Sequence, residues 1–363
     1  MSPKRILLTG ANGYLAQHIL SQLLSAGHSV RGLVRTASKA AQLESTFSSS
    51  LAQLDVALVP DMTIPGAFDA VLQSDPPFDC VIHTASPFNY RKTAGSSNRE
   101  KFLDPAIKGT TEVLEGIARV APGVKRVVLT SSIAAVIDWT APKITTPAKI
   151  YTGEDWNPVS LEDAETSKVI NTAYQASKTY AEKAAWDFVN ASGASQGAEK
   201  PGFDLVTLCP PMIYGPLYDP AEFGKPADLN QSTWVIYNGF LRPGLKSTDP
   251  VPEMGLHLYV DVRDIAKAHL LAAEIPDAGG KRFVICGGSL MGQRTADLLR
   301  EKLPEKRGVI PEGTVGGSGV PEGLYRASSA EAEKVLGLRF RGAEETLGDL
   351  AGQLVEIEER GGQ

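Results

Sequence analysis

The chain holds one tyrosine with a lysine four residues on, in Tyr174-Gln175-Ala176-Ser177-Lys178; none of its other tyrosines has that neighbour. On a helix, residues four apart share a face. A free phenol titrates at about 10, too high for easy proton exchange at neutral pH. An ammonium beside it favours phenolate and lowers that value. The pair therefore reads as an acid–base unit, and Lys178 can also hold the hydroxyls of a sugar. A hydroxyl donor for a substrate oxygen is expected nearby. The run RVVLTSS, Arg126 to Ser132, ends in two serines. Side chains alternate along an extended strand, so only one of Ser131 and Ser132 can face the site.

A second group of residues stands near the start. Thr9-Gly10-Ala11-Asn12-Gly13-Tyr14-Leu15-Ala16 follows an apolar run, RILLT, and precedes a helical pattern with Leu15, Ile19, Leu23 and Leu24 on one stripe. In that context Gly10 makes a tight turn, Gly13 lets the backbone approach a pyrophosphate, and free N–H groups at the helix start bind it. Ala16, at the third small position, still allows close packing. The second strand ends Gly32-Leu33-Val34-Arg35, Lys39 follows, and no acid comes before Glu44. A carboxylate there would accept from a ribose 2′-hydroxyl; a guanidinium instead grips a 2′-phosphate. NADPH/NADP+ is the expected cofactor, with Arg35 and Lys39 on the 2′-phosphate. Asp61 is placed to accept from the adenine amino group, with Met62 against the ring.

Elements that could position these groups alternate along the first half. Strands are expected at Arg5–Thr9, Ser29–Val34, Val56–Val59, Phe78–Thr84, Arg126–Ser131 and Phe203–Cys209. Helices are expected at Tyr14–Ala26, Lys39–Phe47, Asp104–Val120 and Thr172–Asn190, the last bearing Tyr174 and Lys178. Alternation of this kind means right-handed crossovers and a parallel sheet covered on both faces. Asp138–Lys168 reads as mostly loop, and Ser192–Gly202 as a polar surface loop. After Pro210, prolines and glycines become frequent. The expected fold is a Rossmann-type doubly wound α/β sheet, residues 1–209 with 256–286 returning to it. A smaller interleaved substrate lobe takes 210–255 and 287–363.

The 363 residues are 42% hydrophobic and 21% charged, with net charge −6, which argues against nucleic acid or an anionic membrane as partner. No apolar run is long enough to span a bilayer, and the cytoplasm is expected. Cys80, Cys209 and Cys286 lie in apolar strands without metal-ligand spacing, so no metal is expected and the thiols read as buried and reduced.

These segments resemble the extended short-chain dehydrogenase/reductases. Within them, the chain is similar to the NADPH-dependent branch of dihydroflavonol and cinnamoyl-CoA reductases and fungal methylglyoxal, aldehyde and ketone reductases. The likeness rests on TGANGYLAQHI, the Arg35/Lys39 pair, HTASPF (His83–Phe88), PAIKGT (Pro105–Thr110), LTSS, YQASK, PPMIYGP (Pro210–Pro216) and YVDVRDIAKAH (Tyr259–His269). It implies that Gly10, Asn12, Gly13, Tyr14 and Leu15 line the pyrophosphate, and that Ala85 and Ser86 lie along the cofactor. Pro210 and Ile213 would pass beside the nicotinamide. Ser132 would orient a carbonyl, Tyr174 donate its proton, and Lys178 lower the phenol's pKa and hold ribose. Phe88, Tyr214 and Trp234 would wall an apolar or aromatic substrate. Thr111-Glu112 stand where many relatives carry Asn, and Asp261 and Asp264 read as caps. The expected activity is carbonyl reduction; a sugar-nucleotide epimerase or dehydratase and a non-catalytic NADP sensor are the alternatives.

Overall fold

The structure, a computed structural model, describes residues 2–86, 97–190, 201–317 and 319–361. Its strands are β1 (Arg5–Thr9), β2 (Ser29–Val34), β3 (Leu54–Leu58), β4 (Cys80–His83), β5 (Arg126–Thr130), β6 (Ile150–Tyr151), β7 (Asp204–Cys209), β8 (Met212–Tyr214), β9 (Leu258–Asp261), β10 (Arg282–Val284), β11 (Gly288–Ser289) and β12 (Arg326–Ala327). Its α-helices are α1 (Tyr14–Ser25), α2 (Ala37–Thr46), α3 (Asp69–Leu72), α4 (Asp104–Val120), α5 (Leu161–Thr166), α6 (Ile170–Asn190), α7 (Gln231–Ile236), α8 (Val262–Glu274), α9 (Gly292–Lys302), α10 (Ala330–Leu336) and α11 (Ala343–Gly361).

Seven strands form one parallel sheet in the order β10-β7-β5-β4-β1-β2-β3. This is a Rossmann-type doubly wound sheet. Its strands read as short apolar runs because both faces are covered: all four residues of β4 are buried. Ile6 and Leu8 of β1 point into the core beneath α1 and α8, while Leu7 points to the opposite face with Val113, Leu114 and Ile117 of α4. Strand order reverses between β1 and β4, and the crevice beyond the carboxyl ends of those strands is where such sheets take ligands.

Beyond β7, Pro210-Pro211 breaks the ladder, and β8 begins a separate three-stranded sheet, β11-β9-β8. Of the segment 256–286, β10 therefore joins the large sheet and β9 the small one, while α8 packs on α1. A second core, built from Leu217, Ile236, Phe240, Leu299, Leu350 and Leu354 among others, fills the later part of the chain.

The stretch expected to be mostly loop, 138–168, contains a short helix, α5. It starts on a reciprocal capping box in which the Ser160 hydroxyl accepts from the Asp163 N–H and the Asp163 carboxylate accepts from the Ser160 N–H. Residues 192–200 of the expected surface loop lie outside the described residues.

Candidate active site

The turn after β1 is built around the end of β4. Gly10 has φ +67°, and a Cβ there would stand 3.1 Å from the Ala85 Cα. Thr9 fixes that approach. Its hydroxyl accepts from the N–H groups of Thr84 (3.1 Å) and Ala85 (3.0 Å), and its carbonyl accepts from the Thr84 hydroxyl (2.6 Å). Helix α1 then opens on Gly13 with no side-chain cap and no acid in its first turn. Its first N–H groups are left for an anion.

Gly10, Asn12, Gly13, Tyr14, Leu15, Arg35, Lys39, Met62, Ala85 and Ser86 all line one cleft of about 560 Å³. The Arg35 and Lys39 side chains are exposed at its rim. Lys39 donates to the Gln42 side chain at 2.9 Å. Arg31, by contrast, is engaged away from the cleft, on Asp55 (2.5 Å) and the carbonyls of Val71 and Gln73.

Met62 forms part of the cleft wall and sits over Gly109 of α4, where a Cβ would fall 2.5 Å from its terminal methyl. Glu112, one turn on, accepts from the Gly66 N–H at 2.7 Å and so anchors the 61–66 loop. Asp61 does not line the cleft. Its carboxylate accepts from the hydroxyl and N–H of Thr63, which, with Arg35 nearby, hold it below the usual carboxylate range. Val59, Phe68, Thr36 and Ser38 also line the cleft and were not anticipated. Thr36 was legible as the N-cap of α2, where its side chain accepts from the Lys39 N–H at 3.3 Å.

The second group assembles beyond the end of β5. Ser132 is 9% exposed, and its hydroxyl accepts from the Ala134 N–H at 3.1 Å while bonding to the phenol of Tyr174. Ser131 points the other way, donating to the buried Glu182 carboxylate at 2.5 Å. The choice between the two serines is thus made by what stands on each side. Burial raises the Tyr174 phenol above its ordinary value, and the Ser132 bond opposes that. Burial lowers Lys178 itself to about 8, opposed by the negative charge of Glu182. Its ammonium donates to the Ser86 hydroxyl at 3.3 Å, joining α6 to the cofactor cleft.

Pro210 is buried and its carbonyl accepts from the Ile133 N–H at 2.9 Å, which ties it to the Ser132 turn. Ile213 is half-buried against the core of the large sheet. Of the expected pocket walls, Tyr214 is 1% exposed inside the second core, so its ring offers no surface to a ligand. Trp234 is half-buried on that core's edge, and Phe88 lies outside the described residues. Asp261 caps α8 and accepts from the Arg263 N–H at 2.8 Å; Asp264 accepts from the Arg341 N–H at 2.7 Å. All three cysteines are buried and free, and no metal-ligating cluster occurs among the described residues. No helix among them is long and apolar enough to cross a membrane.

A Gly-x-x-Gly turn at the switch point of a parallel sheet, facing a serine–tyrosine–lysine group, defines a dinucleotide-dependent enzyme of the short-chain dehydrogenase/reductase kind. The chain belongs to the NAD dependent epimerase/dehydratase family, whose sequence model matches residues 6–286. It is 37% identical over 354 residues to the ketoreductase azaE of Aspergillus niger, covering 97% of this chain and 98% of the other. It is 34% identical to the NADPH-dependent methylglyoxal reductase GRE2 of Saccharomyces cerevisiae, covering 98% and 99%. The crystal structure of yeast methylglyoxal/isovaleraldehyde reductase Gre2 complexed with NADPH superimposes with a TM-score of 0.87 at 32% identity, covering 98% and 99%.

Proposed function

We propose that this protein is an NADPH-dependent carbonyl reductase that turns a small aldehyde or ketone into an alcohol. The observation that carries the reading is the assembly of Ser132, Tyr174 and Lys178 beside a cleft whose rim is basic at Arg35 and Lys39. The enzyme is an NADP(H)-dependent oxidoreductase. The residues present fit that cofactor: a cradle at Gly10 that a Cβ would fill, an uncapped α1 N-terminus, and two exposed cations with no acid at the end of β2.

When bound, the reduced nicotinamide supplies a hydride for the carbonyl carbon. Tyr174 gives the proton to the carbonyl oxygen and is left as phenolate, to be reprotonated from solvent. Ser132 is the second hydroxyl at that oxygen and orients it. Lys178 holds ribose hydroxyls, and its charge steadies the phenolate that forms. Met62 flanks the adenine, and Pro210 and Ile213 border the nicotinamide end. We assign an apolar or aromatic substrate, with Trp234 as one of its walls, and a cytoplasmic setting, with the three buried free thiols in support.

The test is NADPH oxidation over aldehydes, α-ketoesters, diketones and aryl ketones, with product analysis. Tyr174→Phe should lower turnover by about 10²–10⁴-fold while NADPH still binds. Near-normal turnover in that variant, or no turnover by the native enzyme on any carbonyl, would overturn the reading.

A further inference from the structure

Behind the Ser132 turn lies a buried charge cluster that the proposed reaction does not use directly. Tyr174, Lys178 and Glu182 follow one another at four-residue steps on α6, so they share a face. Glu182 is 1% exposed. Its carboxylate accepts from Arg282 of β10 (Nε, 2.8 Å; Nη2, 3.2 Å), from the Ser131 hydroxyl (2.5 Å) and from Trp186 (3.4 Å), with the Cys209 thiol at 3.7 Å.

Arg282 carries the cluster further. Its guanidinium donates to the carbonyls of Ala135 (3.1 Å), Gly153 (3.0 Å) and Asp155, and lies over the Trp156 ring at 3.8 Å. Ala135 closes the turn that Ser132 opens, and Asn157 pins the same turn, its side chain donating to the Ala134 carbonyl at 2.8 Å. One buried ion pair thus joins four segments distant in sequence: the end of β5, the 153–157 loop, α6 and β10.

We propose that Glu182 is a positioning residue for the carbonyl reduction: held by Arg282 and Ser131, its carboxylate is the counter-charge that keeps Lys178 an ammonium, and through Arg282 it fixes the turn that carries Ser132. This rests on the reductase reading for its consequence, but not for its physical content. The groups that face Lys178 define the balance. From α6 comes Glu182; from the end of β4, His83 and Ser86; from β7, Cys209; behind Glu182 stand Ser131 and Arg282 of β10. The packing of α6 against α4 and the segment before it is apolar, through Phe102, Leu103, Ala173 and Ala176. His83 is buried and neutral, so Glu182 is the carboxylate among these groups that acts on the lysine. An opposite charge at such range favours the charged form of its neighbour, and burial opposes it.

The experiment is competitive acetylation of the full-length protein across pH, without nucleotide, with Lys178 followed by mass spectrometry of its peptide. Glu182→Gln keeps the shape and removes the charge, and should lower the Lys178 midpoint by about one pH unit. Arg282→Gln leaves the carboxylate less compensated and should raise it. Ser131→Ala, a milder change that keeps the fold safe, should raise it by less. Opposite signs are the signature: a merely structural cluster would move none of these midpoints or move all in one direction, and either result overturns the proposal. In turnover, a midpoint moved from about 8 to about 7 leaves about fivefold less ammonium at pH 8 and nearly the same at pH 6. Glu182→Gln should therefore lose kcat about fivefold at pH 8, recover it at pH 6, and keep its KM for the carbonyl. Loss of kcat equally at both pH values would also overturn it. Because the acetylation needs no substrate, a protein that reduces no carbonyl would sink the reductase reading and leave this one standing.

Discussion

Gly10→Ala is the substitution whose cost can be worked most directly. Gly10 sits at φ +67°, a left-handed conformation that costs an L-residue about 1–2 kcal/mol. The added methyl would also stand 3.1 Å from the Ala85 Cα and 3.3 Å from its nitrogen, tight enough that one backbone must yield. Ala85 cannot retreat freely, because its N–H is held by the Thr9 hydroxyl at 3.0 Å. Stretching that bond removes about 1 kcal/mol. The sum is about 2–3 kcal/mol, readable by urea denaturation. The same shift splays Gly10 from Ala85 across the cofactor cleft, and NADPH affinity by fluorescence titration should fall more than tenfold. Gly27→Ala is the control: Gly27 has φ +85° but nothing within 4 Å of a built Cβ. It should cost about 1–2 kcal/mol and leave NADPH binding intact. If the two variants lose equal stability and both bind NADPH normally, the close approach of Gly10 to β4 is not what shapes the site.

Arg35→Ala should weaken NADPH about tenfold to a hundredfold and leave NADH unchanged, since a hydrogen bond to a charged group contributes about 1.5–3 kcal/mol; equal losses for both would remove Arg35 from the 2′-phosphate. Ser132→Ala should lower turnover about 10²-fold, and the lost bond to the Ala134 N–H should cost about 1 kcal/mol of stability; unaltered kcat would assign the serine to the turn alone. Acid should destabilise the fold through three buried histidines, His18 and His269 held down to about 4 and His83 to about 3, all by burial. The unfolded chain protonates them near 6.5, so their contribution is intact above that pH and is lost as pH falls toward the folded values. The slope approaches about 4 kcal/mol per pH unit for three protons. Urea midpoints at pH 7, 6 and 5 check it, and equal stability at pH 7 and pH 5 would be the contrary result.

Much of this was legible because it is local. The β1–turn–α1 unit could be read from RILLT, two glycines and a four-residue apolar stripe, since each lies within one short segment. Tyr174 and Lys178 needed only helical spacing. What escaped was set by distant partners. Whether Ser131 or Ser132 faces the site depends on Glu182, fifty positions on, and Glu182 in turn is held by Arg282, a hundred positions beyond that. Its place four residues after Lys178 was visible, yet a glutamate on a helix reads as a solvated charge until the strand that buries it is known. Tyr214 failed as a pocket wall for a related reason. Its motif placed it near the nicotinamide end, but alternation along β8 turns Ile213 and Tyr214 to opposite sides, and the tyrosine falls into the second core. Helix α5 was missed although Ser160 and Asp163 carry a capping box, because six residues are too few to show a period.

The electrostatics of the site also bear on the direction of the reaction. A group that abstracts a proton from an alcohol must spend time as phenolate, whereas one that protonates a nascent alkoxide must start as phenol. Burial raises Tyr174, and the Ser132 bond offsets it only in part. Across the neutral range the side chain therefore rests as the acid, the form a reductase uses first. Lys178, lowered to about 8 and supported by Glu182, is charged over most of that range. If the phenol gives up its proton as proposed, the negative charge forms one helical turn from that ammonium. On the proposed mechanism the lysine steadies that phenolate, which is the same as easing the proton's departure.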